Sequence, residues 1–164
     1  FLADTTMNID PTAEELVKIT EASIDLVARF GIEPKVALLS HSNFGTSNTA
    51  SAKKVREASE LLRNKHPDLQ LDGEMHVLSA LNPMLRDTVY AQANLQGRAN
   101  VLVMPNLDSA NIAMGLIRSL TDALLIGPFI TGFSKPAHIV IPSVSSRGIF
   151  NMTALTVADI HAGR

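Results

Sequence analysis

The feature that most constrains the fold is the alternation of short apolar runs with longer amphipathic segments. Runs of strand length occupy 1–3, 35–40, 69–74, 100–104, 123–127 and 138–141. Helical spacing of apolar residues predicts helices at 11–30, around 55–62, at 77–90 with a break at Pro83, at 109–120 and at 145–160. Strands separated by helices pair in parallel through right-handed crossovers. The sequence therefore predicts an α/β domain, a layered and mostly parallel sheet with flanking helices.

Helix ends can be predicted from local chemistry. Asp10 is a suitable N-cap with Pro11 in the first helical position, and Gly31 is placed to end the same helix. In the helix after residue 104, Asp108 or Ser109 is expected to be the cap.

Composition excludes several classes of protein. The longest apolar run, 123–130, is interrupted by Gly127 and Pro128 and is far shorter than the roughly 20 residues of a membrane span. A net charge of −2 without a basic block argues against nucleic acid as a partner. The absence of Cys removes disulfides, thiolate catalysis and zinc–thiolate sites, so we expect a cytoplasmic protein. The apolar Phe1-Leu2-Ala3 at the beginning of the sequence is typical of the interior of a strand. We therefore expect the sequence to be a piece of a longer polypeptide.

Ligands of parallel sheets bind beyond the carboxyl ends of the strands, so the loops there are the candidate sites. The loop 42–49 leads into a helix, where exposed N–H groups attract anions, and three basic residues follow it. An ordinary capped loop explains the same residues. A helix cap explains the candidates at 106–111 equally well, and a tight crossover explains Gly127 and Pro128. Arg147 is in the first turn of the last predicted helix, where a cation opposes the helix dipole, and this indicates an anion partner such as a phosphate or an acidic residue of another chain. The predicted ligand contacts are Ser42, Asn43, Gly45, Asn106, Asp108, Asn111, Gly127, Pro128 and Arg147.

One alternating run of acidic residues and a histidine has side chains of the kind that bind metals. Asp72, Glu74 and His76 alternate along a predicted strand, where they would share a face. Solvated strand ends have the same pattern and no further ligands cluster nearby, so no metal site is predicted.

Several motifs in register resemble one family from end to end. They include 1–4 with 10–15, Val36-Ala-Leu-Leu-Ser-His-Ser42, Asp72-Gly-Glu74, 99–108, Ile126-Gly-Pro128 and Ile149-Phe-Asn-Met-Thr-Ala154. Together they resemble the C-terminal half of a phosphate acetyltransferase (phosphotransacetylase) domain. Details at 40–45, 73–76 and 143–152 most resemble the version fused behind bacterial NADP-dependent malic enzymes.

The resemblance implies a two-subdomain fold like that of isocitrate and isopropylmalate dehydrogenases, usually dimeric, with coenzyme A in the cleft between subdomains. This chain would provide the second subdomain, about 1–140, and a closing helix, about 145–162. The parent chain would carry a malic enzyme catalytic domain that uses NADP and a divalent metal. No cofactor is expected within these 164 residues.

The resemblance also implies where catalytic residues would stand. Active members have the run Asp-Leu-Ser-Arg-Gly-Cys-Ser-Val-Glu-Asp-Ile-Val-Asn before the last helix. Its serine assists the thioester transition state, its arginine binds phosphate and its final aspartate takes the thiol proton. Anchoring on 149–151 places Ile141, Pro142 and Gly148 at these positions, so all three functional groups are missing.

The sequence thus favours a non-catalytic domain that binds acetyl-CoA or a related acyl-CoA and regulates malate oxidation. Two alternatives stay open. One is an active phosphate acetyltransferase that uses other residues, such as Ser145 and Arg147. The other is an oligomerisation platform for a catalytic domain in the same chain. A homo-oligomer is expected in each case.

Overall fold

The structure is a computed structural model that describes residues 1–133, 135–140, 142 and 144–161. Its strands are β1 (Leu2–Ala3), β2 (Lys35–Leu39), β3 (Gln70–Met75) and β4 (Val101–Val103). Its helices are α1 (Ala13–Arg29), α2 (Ala50–Lys65), α3 (Val77–Leu81), α4 (Pro83–Val89), α5 (Leu107–Leu120) and α6 (Ser146–His161). The chain divides into two compact units, Phe1–Met114 and Gly115–Arg164.

The first unit contains a four-stranded sheet in the order β1-β4-β2-β3. All three strand pairings are parallel, which confirms the predicted α/β architecture. Side chains that alternate along β2 serve two cores on opposite faces of the sheet. Val36 and Leu38 pack with α1 and α2, whereas Ala37 and Leu39 pack with residues of α3, α5 and the segment before β4.

The start of α1 differs from the prediction by two residues. Thr12, not Asp10, is the N-cap, because its side chain accepts from the backbone N–H of Glu15 while the Glu15 carboxylate accepts from the N–H of Thr12. This reciprocal capping box satisfies two amides that a cap at Asp10 would leave free. The predicted end is confirmed, since Gly31 follows the helix with a φ of 68°.

The predicted break at Pro83 is confirmed, because α3 ends at Leu81 and Asn82 caps α4. The strands predicted at 123–127 and 138–141 are wrong for the residues that the structure describes, which include all of these except Ile141. A strand requires a neighbour for its N–H and C=O groups, and no described segment pairs with either run. Their apolar side chains are correspondingly exposed, at 59% for both Leu124 and Ile139.

The second unit contains the end of α5, the connection that follows it and α6. Within it, the ring of Phe129 meets that of His138 edge-on, with centroids 6.0 Å apart. Met152 on α6 is buried. No helix among the described residues is long and apolar enough to cross a bilayer.

Candidate functional site

The loop that follows β2 is built around a buried carboxylate at the end of β3. Glu74 is fully buried, and its Oε1 accepts from Ser42 Oγ at 2.7 Å, Gly45 N at 2.9 Å and Arg56 Nη2 at 2.9 Å. Its Oε2 accepts from Arg56 Nε at 3.0 Å. Arg56 Nη2 also donates to the carbonyl of Ser47 at 2.7 Å. One carboxylate therefore joins the loop, β3 and α2.

The electrostatics of this cluster favour the ionised carboxylate. Burial works to raise the pKa of Glu74, but the hydrogen bonds from Arg56, Ser42 and the Gly45 amide outweigh it and hold the pKa at about 2. In turn, its contact with Glu74 raises the pKa of Arg56 above the usual value for a guanidinium. The pair is charged throughout the physiological pH range.

Six consecutive amides of the 42–47 loop are hydrogen-bonded within the protein. Their acceptors are Ser40 Oγ, Thr46 Oγ1, the Glu74 carbonyl, Glu74 Oε1, the Asn43 carbonyl and Ser42 Oγ, in chain order. Of these six amides, only that of Gly45 bonds to a charged group, the carboxylate of Glu74. Sequence reasoning expected the N–H groups at the start of the helix after this loop to attract an external anion. That expectation stays a prediction, and at this helix start the Thr49 cap accepts through its side chain from the Ala52 amide at 3.3 Å.

Ser42, Asn43 and Gly45 are brought together here, as predicted, in one loop at the carboxyl end of the sheet. Asn43 lies at its turn, where its Oδ1 accepts from the His76 amide at 2.7 Å and from Ser79 Oγ at 3.2 Å. The His76 ring also returns to this loop, since its Nε2 donates to the carbonyl of His41 at 2.6 Å. The three assignments as ligand contacts stay predictions, because these groups hold the loop to β3 and α3.

An aromatic pair lies at the tip of the same loop. Phe44 is the one non-glycine residue with a positive φ, 44°, in the described part of the chain. Its ring stacks on that of Tyr90 at the end of α4, with centroids 4.2 Å apart and planes inclined by 14°. Sequence reasoning missed this pair, because 46 residues separate the two rings along the chain and only the fold brings them together.

Asn106 ends the loop after the neighbouring strand β4, and Asp108 and Asn111 lie in the first two turns of α5. Asn106 is the cap of α5, since its Oδ1 accepts from the Ser109 amide at 2.9 Å, so the prediction of Asp108 or Ser109 as cap is wrong. The helix begins earlier because the Asn106 carbonyl already accepts from the Ala110 amide. Asn111 Nδ2 donates to the carbonyl of Thr5 at 3.2 Å, which ties α5 to the loop after β1.

Asp72 and Glu74 do not form a metal site with His76. Asp72 is buried and accepts from the Leu95 amide at 2.7 Å, with Arg63 Nη1 3.6 Å away. Burial raises the pKa of Asp72, while the Leu95 amide and Arg63 work against that rise. Among the residues that the structure describes, no group of three His, Asp or Glu side chains could hold a metal ion.

The remaining candidates lie in the second unit. Gly127 has a φ of 133° and precedes Pro128 in the connection between α5 and α6. Arg147 is exposed in the first turn of α6, where Ser145 Oγ accepts from the Gly148 amide at 3.1 Å. Of the three positions given to catalytic residues by the resemblance, Ile141 lies outside the described residues. Pro142 is exposed in a turn, and Gly148 is in α6.

A side chain at position 148 would displace the side chain of Val144. A β-carbon at this position would lie 2.7 Å from Cγ2 of Val144 and 3.4 Å from Oγ of Ser145. An aspartate here would require Val144 to move.

Comparisons with known proteins agree with this fold. The family profile "Phosphate acetyl/butaryl transferase" matches residues 1–157. The chain is 48% identical to an NAD-dependent malic enzyme of Rhizobium meliloti over 97% of its length. It is 49% identical to an NADP-dependent malic enzyme of Salmonella typhimurium, also over 97%. It spans only 21% of the length of each of these relatives.

Phosphotransacetylases are also similar in sequence and structure. A phosphate acetyltransferase of Clostridium acetobutylicum is 35% identical over 99% of this chain and 49% of its own. The crystal structure of a phosphotransacetylase from Streptococcus pyogenes, 35% identical, superposes with a TM-score of 0.90 over 98% of this chain and 49% of that one. EutD phosphotransacetylase from Staphylococcus aureus, 29% identical, also gives 0.90, over 96% and 49%. The chain belongs to the phosphate acetyl/butaryl transferase family, in the form that is found in malic enzymes as well as in phosphate acetyltransferases.

Proposed function

We propose that this chain is a non-catalytic, acetyl-CoA-binding regulatory domain of a malic enzyme that oxidatively decarboxylates malate to pyruvate. The observation that carries the proposal is the occupation of the three family catalytic positions by Ile141, Pro142 and Gly148. None of these side chains can bind phosphate, accept a thiol proton or donate to a developing oxyanion. Loss of a general base alone typically costs a factor of about 10²–10⁴ in rate.

The relatives support the malic enzyme context. The identities of 48% and 49% to malic enzymes exceed the 35% to the phosphate acetyltransferase of Clostridium acetobutylicum. In this proposal the nicotinamide cofactor, NADP, and a divalent metal belong to a catalytic domain elsewhere in the same polypeptide. The polypeptide is a cytoplasmic homo-oligomer whose acyl-CoA domain has the two-subdomain arrangement of isocitrate dehydrogenases.

Regulation of this kind needs binding without turnover. Acetyl-CoA must prefer one arrangement of the domain over another, and a difference of about 1–3 kcal/mol changes the affinity of the coupled site about 5- to 150-fold. The cluster around Glu74 supports the binding part of this role, because it orders a loop at the carboxyl end of the sheet, where ligands of parallel sheets bind.

The test uses the full-length polypeptide that carries this sequence. Calorimetry should detect acetyl-CoA binding in the micromolar to millimolar range, and acetyl-CoA should inhibit malate oxidation. Deletion of the domain should abolish the inhibition. Absence of binding together with inhibition that survives the deletion would reject the proposal. A deletion that changes only the mass of the oligomer, with the response to acetyl-CoA intact, would favour an oligomerisation platform instead.

A second candidate is an active phosphate acetyltransferase, which the TM-score of 0.90 to a phosphotransacetylase favours. It predicts formation of acetyl phosphate from acetyl-CoA and inorganic phosphate by the purified chain. Arg147→Ala would abolish that turnover if the exposed Arg147 guanidinium binds phosphate. Arg118→Ala, which removes another exposed arginine of the same unit, is the matched control and should leave the rate unchanged.

A further inference from the structure

We infer that Glu74 and Arg56 are positioning residues that hold the 42–47 loop in the conformation in which it contributes to the acyl-CoA site. The inference rests on the proposed function for the ligand, and on the geometry of the first unit for the positioning. Neither residue is predicted to touch the ligand. Glu74 acts through the Ser42 side chain and the Gly45 amide, and Arg56 acts through the Ser47 carbonyl.

Several hydrogen bonds to the loop converge on one buried carboxylate. Glu74 bonds to the side chain of Ser42 and to the amide of Gly45, which fixes the beginning and the middle of the loop. Arg56 bonds to the carbonyl of Ser47 with the same Nη2 that contacts Glu74, which fixes the end. No other ion pair in the described chain joins a fully buried carboxylate to three points of one loop.

These bonds maintain an unusual backbone conformation at Phe44. Phe44 has a φ of 44°, which residues with a β-carbon rarely adopt. Glu74 holds the backbone at Phe44 and at the next residue. Its carbonyl accepts from the Phe44 amide at 2.8 Å, and its carboxylate accepts from the Gly45 amide. Strained residues of this kind persist where the surroundings over-determine them, and they concentrate at ligand sites.

Asp72 provides a matched contrast to Glu74 within β3. Asp72 is buried on the same strand, but it bonds to the Leu95 amide and holds a different loop. Replacing Asp72 changes a buried carboxyl group of β3 without removing a contact of the 42–47 loop. Asp72→Asn is therefore the control for Glu74→Gln.

The experiment uses the full-length polypeptide and its variants at a temperature where all are folded. It compares their amide hydrogen exchange and their affinity for acetyl-CoA. In Glu74→Gln we expect the Gly45 and Ser47 amides to exchange at least about tenfold faster, because their fixed acceptors are lost or weakened. We expect the dissociation constant for acetyl-CoA to rise at least about tenfold. Asp72→Asn should accelerate the Leu95 amide and leave the loop and the affinity unchanged.

Arg56 provides the rescue test. Arg56→Met should reproduce the effects of Glu74→Gln, and Arg56→Lys should restore part of the affinity, because an ammonium keeps the charge but not the three-point contact. Wild-type affinity in Arg56→Met would overturn the positioning role.

The remaining outcomes are distinguishable. Unchanged exchange of Gly45 and Ser47 in a folded Glu74→Gln chain would overturn the inference, as would the same acceleration in Asp72→Asn. A looser loop with unchanged affinity would show that the loop is not part of the site, and would overturn it too. If the wild-type chain does not bind acetyl-CoA, the proposed function fails, and the exchange rates alone decide the positioning role.

Discussion

The main chain of Gly73 lies so close to Leu38 that a β-carbon at position 73 would be 2.8 Å from both the β-carbon and the carbonyl oxygen of Leu38. The two residues are register partners in β3 and β2, next to the irregularity after which Leu39 pairs with Met75. Leu38 is fully buried and cannot retreat into solvent. Close packing of the two strands immediately before Glu74 therefore depends on the missing side chain.

We expect Gly73→Ala to lower the free energy of unfolding by about 2–3 kcal/mol, because it overpacks a buried strand pair at an unfavourable φ of 157°. Urea titration followed by circular dichroism measures the effect. Gly115→Ala in α5 is the control, since no described atom outside the local helix backbone lies within 4 Å of the added carbon, and it should be neutral or stabilising by up to about 1 kcal/mol. Equal effects of the two substitutions would contradict the packing argument.

Glu74 should make stability depend on pH in the acid range. Its pKa is depressed from 4.5 to about 2 in the folded state, so the stabilisation is complete above pH 4.5 and is lost as pH falls from there towards 2. The stabilisation amounts to about 3 kcal/mol. The free energy of unfolding of Glu74→Gln should therefore fall less than that of the wild type over this window.

Asp72 should change the pH dependence of stability in the direction opposite to Glu74. Burial raises its folded-state pKa, so the folded chain binds this proton more tightly than the unfolded chain, and that contribution is lost as pH rises through the folded pKa. Asp72→Asn should thus make the acid limb steeper, not shallower. Identical acid limbs for the two variants would refute these assignments.

Arg86 is the largest fully buried side chain, and it holds the segment before β4. It donates to the carbonyls of Leu95 at 2.8 Å and Gly97 at 3.0 Å. Arg86→Met should lower the free energy of unfolding by at least about 2 kcal/mol. The reason is that the buried Leu95 carbonyl and the partly buried Gly97 carbonyl both lose their arginine donor. Arg118→Met, at an exposed position, should change stability by less than about 1 kcal/mol in the same denaturation experiment.

The capping box of α1 predicts a smaller effect. Thr12→Ala should lower the free energy of unfolding by about 1 kcal/mol, because the Glu15 amide loses its acceptor. Thr12→Ser retains that oxygen and should stay close to the wild type. A thermal melt that shows equal losses for Ala and Ser would point to the Thr12 methyl group instead of the cap.

Local patterns were sufficient to predict most of the first unit. Four of the six expected strands form, and the break before α4 occurs at Pro83 as predicted. Helix ends were less accurate, because several residues in a row can cap. Thr12 and Asn106 took the role from Asp10 and from Asp108 or Ser109, since their side chains and carbonyls reach the first free amides.

The amino-acid sequence by itself determined the alternation of elements, the parallel α/β class and the family, because these depend on periodicity and on motifs that are read locally. Only the tertiary structure decided what the loop residues bond to. Arg56 and Glu74 are 18 residues apart, and Phe44 and Tyr90 are 46 apart. Their contacts exist because a parallel sheet brings the carboxyl ends of separate strands to one edge. The fold thereby brings the buried Glu74 carboxylate to the loop after β2, a contact that no local pattern predicted.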